Sequence, residues 1–209
     1  MNISFAITTH NEGDSIQKLL TRIKEFVLPD DEIIILDDHS DDDLTLQILE
    51  TEDNVNKRKF DKDFADHKNA LNNLCSKEYI FQLDGDELPT QHLLKNIRSI
   101  IKENPDVELF ALPRVNIVKG ITKEHLKLYQ WTQDKFKRIN YPDYQGRIYI
   151  NKPHIKWKRS VHEVITGHKK GKLVQTNANL DIHHIKTIEK QEISNDFYYN
   201  TYTKDFKIK

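Results

Sequence analysis

The order of apolar runs near the amino terminus constrains the fold of this chain more than any other feature. Residues 3–8 are rich in β-branched and aromatic side chains and lead into turn-forming residues at 11–14. Residues 32–37 form a second apolar run, which is typical of a strand covered on both faces. Between these runs, apolar residues recur at helical spacing: Ile16, Leu19, Leu20, Ile23 and Phe26. A strand, a helix and a strand at this spacing predict a βαβ unit with two parallel strands.

The same alternation continues along the chain and indicates the α/β class. Further helices are predicted over residues 44–49, 64–74 and 93–101. Apolar runs predict more strands, at residues 55–60, 79–83, 109–118, 147–150, 173–175 and 180–185. A polar helix is expected at residues 122–137 and a helical tail from Thr187. The expected architecture is an open, Rossmann-like sheet that becomes mixed toward the carboxyl terminus and is flanked by helices.

Length and composition restrict both the domain count and the partners. A chain of 209 residues can enclose one sizeable core, so a single domain is expected. The 32 basic residues nearly balance the 33 acidic residues, which excludes a general electrostatic attraction for nucleic acid. Cys75 is the only cysteine, so an internal disulfide is excluded and a reducing compartment is permitted. No apolar stretch reaches the length of a membrane span, and a cytoplasmic protein without a transmembrane segment is expected.

Polar clusters directly follow three of the predicted parallel strands. They comprise residues 8–12, 37–40 and 84–87. Ligands of open α/β sheets bind beyond the carboxyl ends of the strands, where loops from several strands meet. We therefore expect the three clusters to form one site.

The third cluster has the composition of a cation site. Asp84 and Asp86 are separated only by Gly85, so both carboxylates can face one hard cation while the glycine permits close approach of backbone or ligand. Magnesium or manganese suits such oxygen ligands. An acidic turn that caps the following helix explains the same residues equally well.

The second cluster offers acceptors for a nucleoside. Asp37 and Asp38 are able to accept hydrogen bonds from ribose hydroxyls or a base imino group, as acidic residues after a strand do in dinucleotide sites. For residues 41–43, an Asp-rich turn with a helix cap is the competing interpretation.

Two later segments carry further candidates. His183 and His184 end a predicted strand, and His162 and Glu163 stand side by side between two valines. Glu163 is a candidate base, and an ordinary salt-bridge residue is the alternative.

Eight short segments repeat the motifs of a known family in the same order. They are Thr8–Glu12, Asp31–Asp37, His39–Asp41, Asp63–Leu71, Leu83–Glu87, Gln145–Tyr149 and, late in the chain, His162–Glu163 with Ile182–His184. Over residues 3–185 the chain resembles the family 2 glycosyltransferases of GT-A fold, in particular their short branch of lipopolysaccharide-core glucosyltransferase-like proteins. Lys68 stands where the family usually has arginine, which keeps the charge but loses a forked grip on phosphate.

The resemblance implies metal-dependent, inverting transfer of a sugar from a nucleotide diphosphate sugar, with UDP as the expected nucleotide. The acceptor would be a hydroxyl of a glycan, a lipid-linked glycan or a protein. The alternative to a freely cytoplasmic protein is one held at the inner face of a membrane through such an acceptor. Donor binding would involve Thr8, Asn11, Glu12, Asp37, Asp38, Lys68, Asp84 and Arg147. Manganese or magnesium would be held by Asp84, Asp86 and His184. Glu163 would be the base, with Asp86 as a second catalytic residue and Glu87 as a further alternative.

Within the single domain expected over residues 1–209, the resemblance suggests three parts. Residues 1–88 would bind the nucleotide sugar, residues 89–185 would supply the acceptor and catalytic half, and residues 186–209 would form a helical tail. The aromatic residues of the tail favour packing on the core, while a homodimer or acceptor surface is the alternative. A catalytically degenerate carbohydrate-binding or assembly protein of the same fold is the competing function.

Overall fold

The computed structural model describes residues 1–176 and 179–202. Its strands are β1 (Ile3–Thr9), β2 (Glu32–Asp37), β3 (Val55–Lys57), β4 (Tyr79–Asp84), β5 (Glu87–Pro89), β6 (Leu109–Lys119), β7 (Ile139–Ile150), β8 (Lys156–Lys158), β9 (Val164–Thr166), β10 (Gly171–Leu173) and β11 (Ile182–Thr187). Its helices are α1 (Asp14–Lys24), α2 (Asp43–Leu49), α3 (Phe64–Asn72), α4 (Gln91–Lys102), α5 (Lys123–Leu128) and α6 (Ile188–Tyr202).

One large sheet organises the molecule. Its strand order is β3-β2-β1-β4-β7-β6-β11-β5, and β10 pairs with a further part of β6. Strands β1 to β4 are parallel, β7 runs antiparallel to both β4 and β6, and β11 runs parallel to β6. The predicted open sheet, parallel at first and mixed toward the carboxyl terminus, is therefore confirmed.

Both faces of the sheet are covered, which explains why its central strands are apolar throughout. On one face, α1 and α4 bury their apolar stripes, for example Leu19 and Ile97, against the sheet. On the other face, α3 and the β8–β9 hairpin contribute a second core that includes Leu71 and Trp157. The sheet thus lies between two layers.

The predicted polar helix at 122–137 is much shorter in the structure. Thr122 and His125 form a capping box at the start of α5, and Gln130, just beyond the helix, has a left-handed φ of 55°. Helical geometry cannot continue through that residue. The following residues instead lead into β7, which begins at Ile139, well before the strand predicted at 147–150.

The tail helix α6 packs on the molecule, as the favoured prediction had it. The rings of Phe197 and Phe60 lie 6.3 Å apart, and those of Tyr198 and Phe64 lie 5.9 Å apart. Tyr202 also donates a hydrogen bond to the carbonyl oxygen of Lys62. Within the described part of the chain, no helix is both long and apolar enough to cross a lipid bilayer.

Candidate active site

The ends of β1, β2 and β4 bring the three polar clusters together. In the sheet register, Thr8 lies beside Asp84, and Thr9 lies beside Asp37. Gly85 allows a close approach here, because a Cβ atom at this position would lie 3.0 Å from the Glu12 side chain and 3.2 Å from the carbonyl oxygen of Thr8. The single polar edge expected from the sequence is therefore present.

Asp84 is the most heavily paired carboxylate at this edge. Its Oδ1 accepts a hydrogen bond from Thr8 Oγ1 at 3.0 Å and lies 3.3 Å from Lys68 Nζ. Its Oδ2 accepts a hydrogen bond of 2.8 Å from Arg147. Burial would raise the pKa of Asp84, but Lys68 and Arg147 hold it well below its usual value. Asp84 is therefore ionised in the folded protein.

Lys68 joins Asp84 to the predicted base. Its Nζ donates a hydrogen bond of 2.6 Å to Glu163 Oε1, and it lies 4.7 Å from the centre of the Trp157 ring. The lysine side chain is 5% exposed, whereas 18% of the Glu163 side chain remains accessible. A carboxylate from the loop before β9 thus faces the end of β4 across one buried ammonium group.

A β-bulge directs Arg147 into the same network. The register between β6 and β7 shifts at this point, because Phe110 pairs with Ile148 and Ala111 pairs with Gly146. Arg147 is the extra residue, and a bulge of this kind changes the direction of its side chain. Besides Asp84, Arg147 donates to Gln82 at 3.1 Å.

Glu87 is enclosed by arginines. Its Oε1 lies 2.6 Å from Arg147 and 3.1 Å from Arg114, and its side chain is fully buried. Arg147 in turn has its already high pKa raised: burial alone would lower it, but Glu87 and Asp84 outweigh that effect. Glu87 therefore stabilises the arginine pair and has no access to an acceptor, which argues against it as the base.

Asp86 forms a separate pair with His184. Strand β5 pairs with β11, so that His184 lies beside Glu87 in the sheet, and its Nε2 is 2.9 Å from Asp86 Oδ2. On the other side of the ring, Nδ1 is 2.9 Å from Asn116 Oδ1. Burial would raise the pKa of Asp86, but the hydrogen bond and charge of His184 lower it.

A hydrogen-bond chain orients the imidazole of His184. Asn116 donates its amide group to Asp143 at 2.8 Å, which leaves its carbonyl oxygen to accept from Nδ1–H of His184. Nε2 therefore faces Asp86 either with a second proton or with a lone pair. The second state is the one that binds metal, and an Nδ1–H held by an outer partner is the usual arrangement of metal-binding histidines.

The three predicted metal ligands are not assembled as one group. Among residues 1–176 and 179–202, no set of three or more His, Cys, Asp or Glu side chains is arranged to hold a metal ion. Asp86 and His184 are in contact, whereas both oxygens of Asp84 face Lys68, Arg147 and Thr8. Asp86 and His184 are thus the better pair of candidate ligands.

The predicted nucleoside contacts differ in how much of each side chain is available. Asp37 is fully buried and accepts two hydrogen bonds from Ser40 through Oδ1, so it shapes the turn after β2. Asn11 also serves a loop, because its side chain binds Asp41 in both directions. Asp38 keeps more freedom: Oδ1 accepts from the Phe60 amide, while Oδ2 lies 4.0 Å from His10.

Glu12 links the first cluster to the tail. Its Oε2 lies 2.9 Å from Lys190 of α6. Burial, and then the nearby charge of Asp86, raise the pKa of Glu12 despite this lysine. Glu12 consequently takes up a proton more readily than an ordinary glutamate does.

Several residues of the network were not singled out from the sequence. They are Gln82, Arg114, Asn116, Asp143 and Trp157. Arg114 and Asn116 lie in a strand that is otherwise mainly apolar, and charged or amide side chains there need buried partners. That signal was available, but the identity of the partners depends on the irregular β6–β7 register.

Comparisons with known proteins identify chains of similar fold. No curated protein sequence matches the chain. A crystal structure of S. aureus TarS has a similar fold, with a TM-score of 0.61 and 16% identity over 88% of this chain and 37% of TarS. Another, of TarS 1–349 in complex with UDP-GlcNAc, gives a TM-score of 0.59 and 16% identity over 89% of this chain and 59% of that one.

The chain therefore spans less than two thirds of the TarS chains that it resembles. The sequence profile of glycosyl transferase family 2 matches residues 4–165, which is most of the chain. With the GT-A-like sheet and the polar edge described above, we conclude that the chain belongs to glycosyl transferase family 2.

Proposed function

We propose that this chain transfers a sugar from a UDP-sugar to an acceptor hydroxyl, with inversion at the anomeric carbon. The observation that carries the proposal is the bridge formed by Lys68, which contacts both Asp84 at the end of β4 and Glu163 before β9. A candidate base is thereby held beside the edge at which this class of sheet binds its ligands. Family membership and the complex of TarS with UDP-GlcNAc support a UDP-sugar donor.

The donor would lie across the ends of β1, β2 and β4. Asp38, with one carboxylate oxygen not hydrogen-bonded to the backbone, is our candidate for the base or ribose. Thr8 and Asp84 would lie nearer the diphosphate sugar, with Lys68 and Arg147 supplying positive charge. Asn11, Glu12 and Asp37 would act mainly by holding the loops that surround the donor. In this proposal, residues 1–88 provide most donor contacts and residues 89–185 provide the acceptor side.

Glu163 would remove the proton of the acceptor hydroxyl. As the acceptor oxygen forms its bond to the anomeric carbon, the bond to the diphosphate breaks and its electron pair stays on the departing UDP. The proton moves to a carboxylate oxygen of Glu163. Lys68 would orient this carboxylate through Oε1, leaving Oε2 for the acceptor.

Asp86 and His184 fit a divalent cation such as manganese or magnesium. Two acceptor atoms that face each other at 2.9 Å need a proton or a cation between them, and Asn116 already holds the opposite nitrogen of the imidazole. Oxygen and imidazole nitrogen are ligands that these metals accept. When bound, the cation would supply positive charge to the leaving diphosphate.

The proposal is tested by measuring UDP release from UDP-glucose, UDP-galactose and UDP-GlcNAc, with manganese, magnesium or EDTA. We expect metal-dependent release from one donor. Glu163→Gln should lower turnover by about 100-fold to 10,000-fold, the usual contribution of a general base, while donor affinity changes little. Asp86→Asn should instead raise the metal concentration required for half-maximal release.

Asp106→Asn is the matched control, because Asp106 precedes β6 at the opposite end of the sheet and forms an ion pair with the exposed Lys170. It should leave turnover unchanged. Full activity in Glu163→Gln would contradict the assignment of the base. Donor binding without turnover, across the panel and with an added glycan acceptor, would indicate a degenerate carbohydrate-binding protein.

A further inference from the structure

The segment that connects β6 to β7, residues 119–138, lies at the same edge of the sheet as the candidate active site. Strand β6 is antiparallel to β7, which is antiparallel to β4, so β6 and β4 run in the same direction. Strand β6 continues past Asn116, which lies beside His184, and ends at Lys119. We call residues 119–138 the connecting segment. It contains α5 and the turn before β7.

Part of the connecting segment is anchored and part is exposed. Leu126, Tyr129 and Trp131 pack on a small core formed by Val118, Ile139 and Ile188. In contrast, Leu128 is 71% exposed and Phe136 is 62% exposed. The anchored residues hold two large apolar side chains outward at defined positions.

The first turns of α6 extend this apolar surface. His125 in α5 lies 3.7 Å from Glu192 of α6. Ile193, the next residue, is 69% exposed. Three large apolar side chains from two neighbouring elements therefore face solvent close to the polar edge.

The connecting segment is also strongly basic. It carries six basic residues, Lys119, Lys123, Lys127, Lys135, Lys137 and Arg138, against the acidic Glu124 and Asp134. This excess of four positive charges occurs in a chain whose formal net charge is −1. Two of the basic side chains lie beside one of the exposed apolar ones: Lys135 and Arg138 are 5.0 and 5.1 Å from the centre of the Phe136 ring.

We propose that the connecting segment docks the protein on an anionic lipid bilayer. Exposed leucine and aromatic side chains enter the boundary between headgroups and acyl chains, and lysines beside them bind anionic headgroups. Nucleic acid would use the charge but not the apolar side chains, and an ordinary protein interface is depleted in lysine. The same orientation turns the ends of β1 and β4 toward the bilayer, which suits an acceptor that is itself linked to lipid.

This proposal goes beyond sugar transfer and is tested without donor or metal. The full chain is sedimented with vesicles of phosphatidylcholine alone and of phosphatidylcholine mixed with phosphatidylglycerol. Binding is expected only to the mixed vesicles, and it should weaken as salt is added. The variant Leu128→Glu with Phe136→Glu should lower the partition coefficient at least about tenfold, because apolar insertion and charge are both reduced.

Leu173→Glu is the control for the apolar change, since Leu173 is 60% exposed but pairs with Ala111 at the opposite end of β6. A second variant, Lys123→Gln with Lys127→Gln, removes two positive charges from the connecting segment. Its control is Lys169→Gln with Lys170→Gln, which removes two charges elsewhere. Both controls should bind vesicles as the unaltered chain does. Circular dichroism and thermal unfolding verify that each variant is folded.

Three results would overturn the proposal. The first is failure of the unaltered chain to bind mixed vesicles. The second is a folded variant of Leu128 and Phe136 that binds as tightly as the unaltered chain. The third is a Leu173 control that loses as much binding as that variant. Concentration-dependent self-association that this variant abolishes, seen by sedimentation velocity without vesicles, would assign the surface to a second copy of the chain instead. Turnover of soluble donor measures the proposed reaction separately, so the two proposals can fail independently.

Discussion

Lys68 connects the proposed base to the end of β4. It is buried, and its ammonium group lies between the carboxylates of Asp84 and Glu163, which belong to distant parts of the chain. The aromatic face of Trp157 covers it from another side. Without this charge, two partly buried carboxylates would face each other, and Asp84 would depend on Arg147 and the more distant Arg114 for positive charge.

We expect Lys68→Met to lower the free energy of unfolding by about 3 kcal/mol, the lower part of the range for removing one partner of a buried ion pair. Combining it with Glu163→Gln should recover a large share of the lost stability, because the double variant no longer has the Glu163 carboxylate that Lys68 balanced. Urea unfolding of the single and double variants measures both effects. A loss below about 1 kcal/mol, typical of a surface pair, would contradict this role.

Helices α4 and α6 differ sharply in how they are held. Helix α4 buries a continuous stripe of Leu93, Leu94, Ile97 and Ile101 in the main core. Helix α6 buries only Ile188, Gln191 and Tyr202, and its aromatic contacts lie at the rim of the site. Tertiary packing, more than intrinsic propensity, stabilises helices of this length.

Helix α6 should therefore open more readily than α4. We expect amide hydrogens in residues 188–202 to exchange at least about 100-fold faster than those in residues 91–102, through local opening. Hydrogen exchange with mass spectrometry compares the two helices within the same molecule, so each serves as the reference for the other. Equal protection of both helices would mean that α6 unfolds only with the whole domain.

The sequence predicted elements well where one periodicity dominates. The strands at residues 3–8, 32–37 and 79–83 and the helix at 93–101 lie within β1, β2, β4 and α4, because each packs a simple apolar pattern on the core. The short strands β5, β8 and β9 were missed, since three residues carry no detectable period.

The candidate site was predicted in the same uneven way. The sequence predicted six site residues without their contacts, and the structure shows which of them are in contact: Lys68, Asp84, Asp86, Arg147, Glu163 and His184. Their pairing was not predictable, because it depends on strand order and on the bulge at Arg147. Asp37 and Asn11 were predicted to contact the donor because they lie at the expected edge of the sheet. Their side chains instead form hydrogen bonds within the loops at that edge.

At the scale of the whole molecule, stability should depend on pH through carboxylates at both ends of the sheet. Glu32 accepts hydrogen bonds from Ser4 and Ser76 near the amino ends of the strands, and Asp143 binds Arg114 near the candidate site. Burial would raise both pKa values, but the serines and the arginine lower them. Their stabilisation is thus present above the unfolded pKa and is lost as the pH falls through the folded pKa.

We expect Glu32→Gln to lower the free energy of unfolding by about 1 kcal/mol at neutral pH, where the carboxylate accepts charge-assisted hydrogen bonds, and to have little effect near pH 3. Unfolding of both proteins at the two pH values tests this. Glu50→Gln is the control, because it removes an exposed carboxylate at the carboxyl end of α2 and should not lower stability at neutral pH. The raised pKa values of Glu12 and Asp181 act in the opposite direction, so only the difference between variants isolates Glu32. A difference that persists in acid would contradict the assignment.

The extra residue in β7 also determines which side of the sheet is faced by the residues just before it in the strand. Gly146 and Tyr149 point to the same side of the sheet, toward the core that contains Leu109 and Ile165, although three positions separate them. Deleting Gly146 or Arg147 would remove this bulge and turn residues 143–145 over, while the second register shift, between Arg114 and Asn116, would remain. Asp143 would then leave Arg114 and Asn116, and His184 would lose the partner chain that orients it. A single-residue deletion in β7 would thus change the orientation of His184, some forty positions away in the sequence.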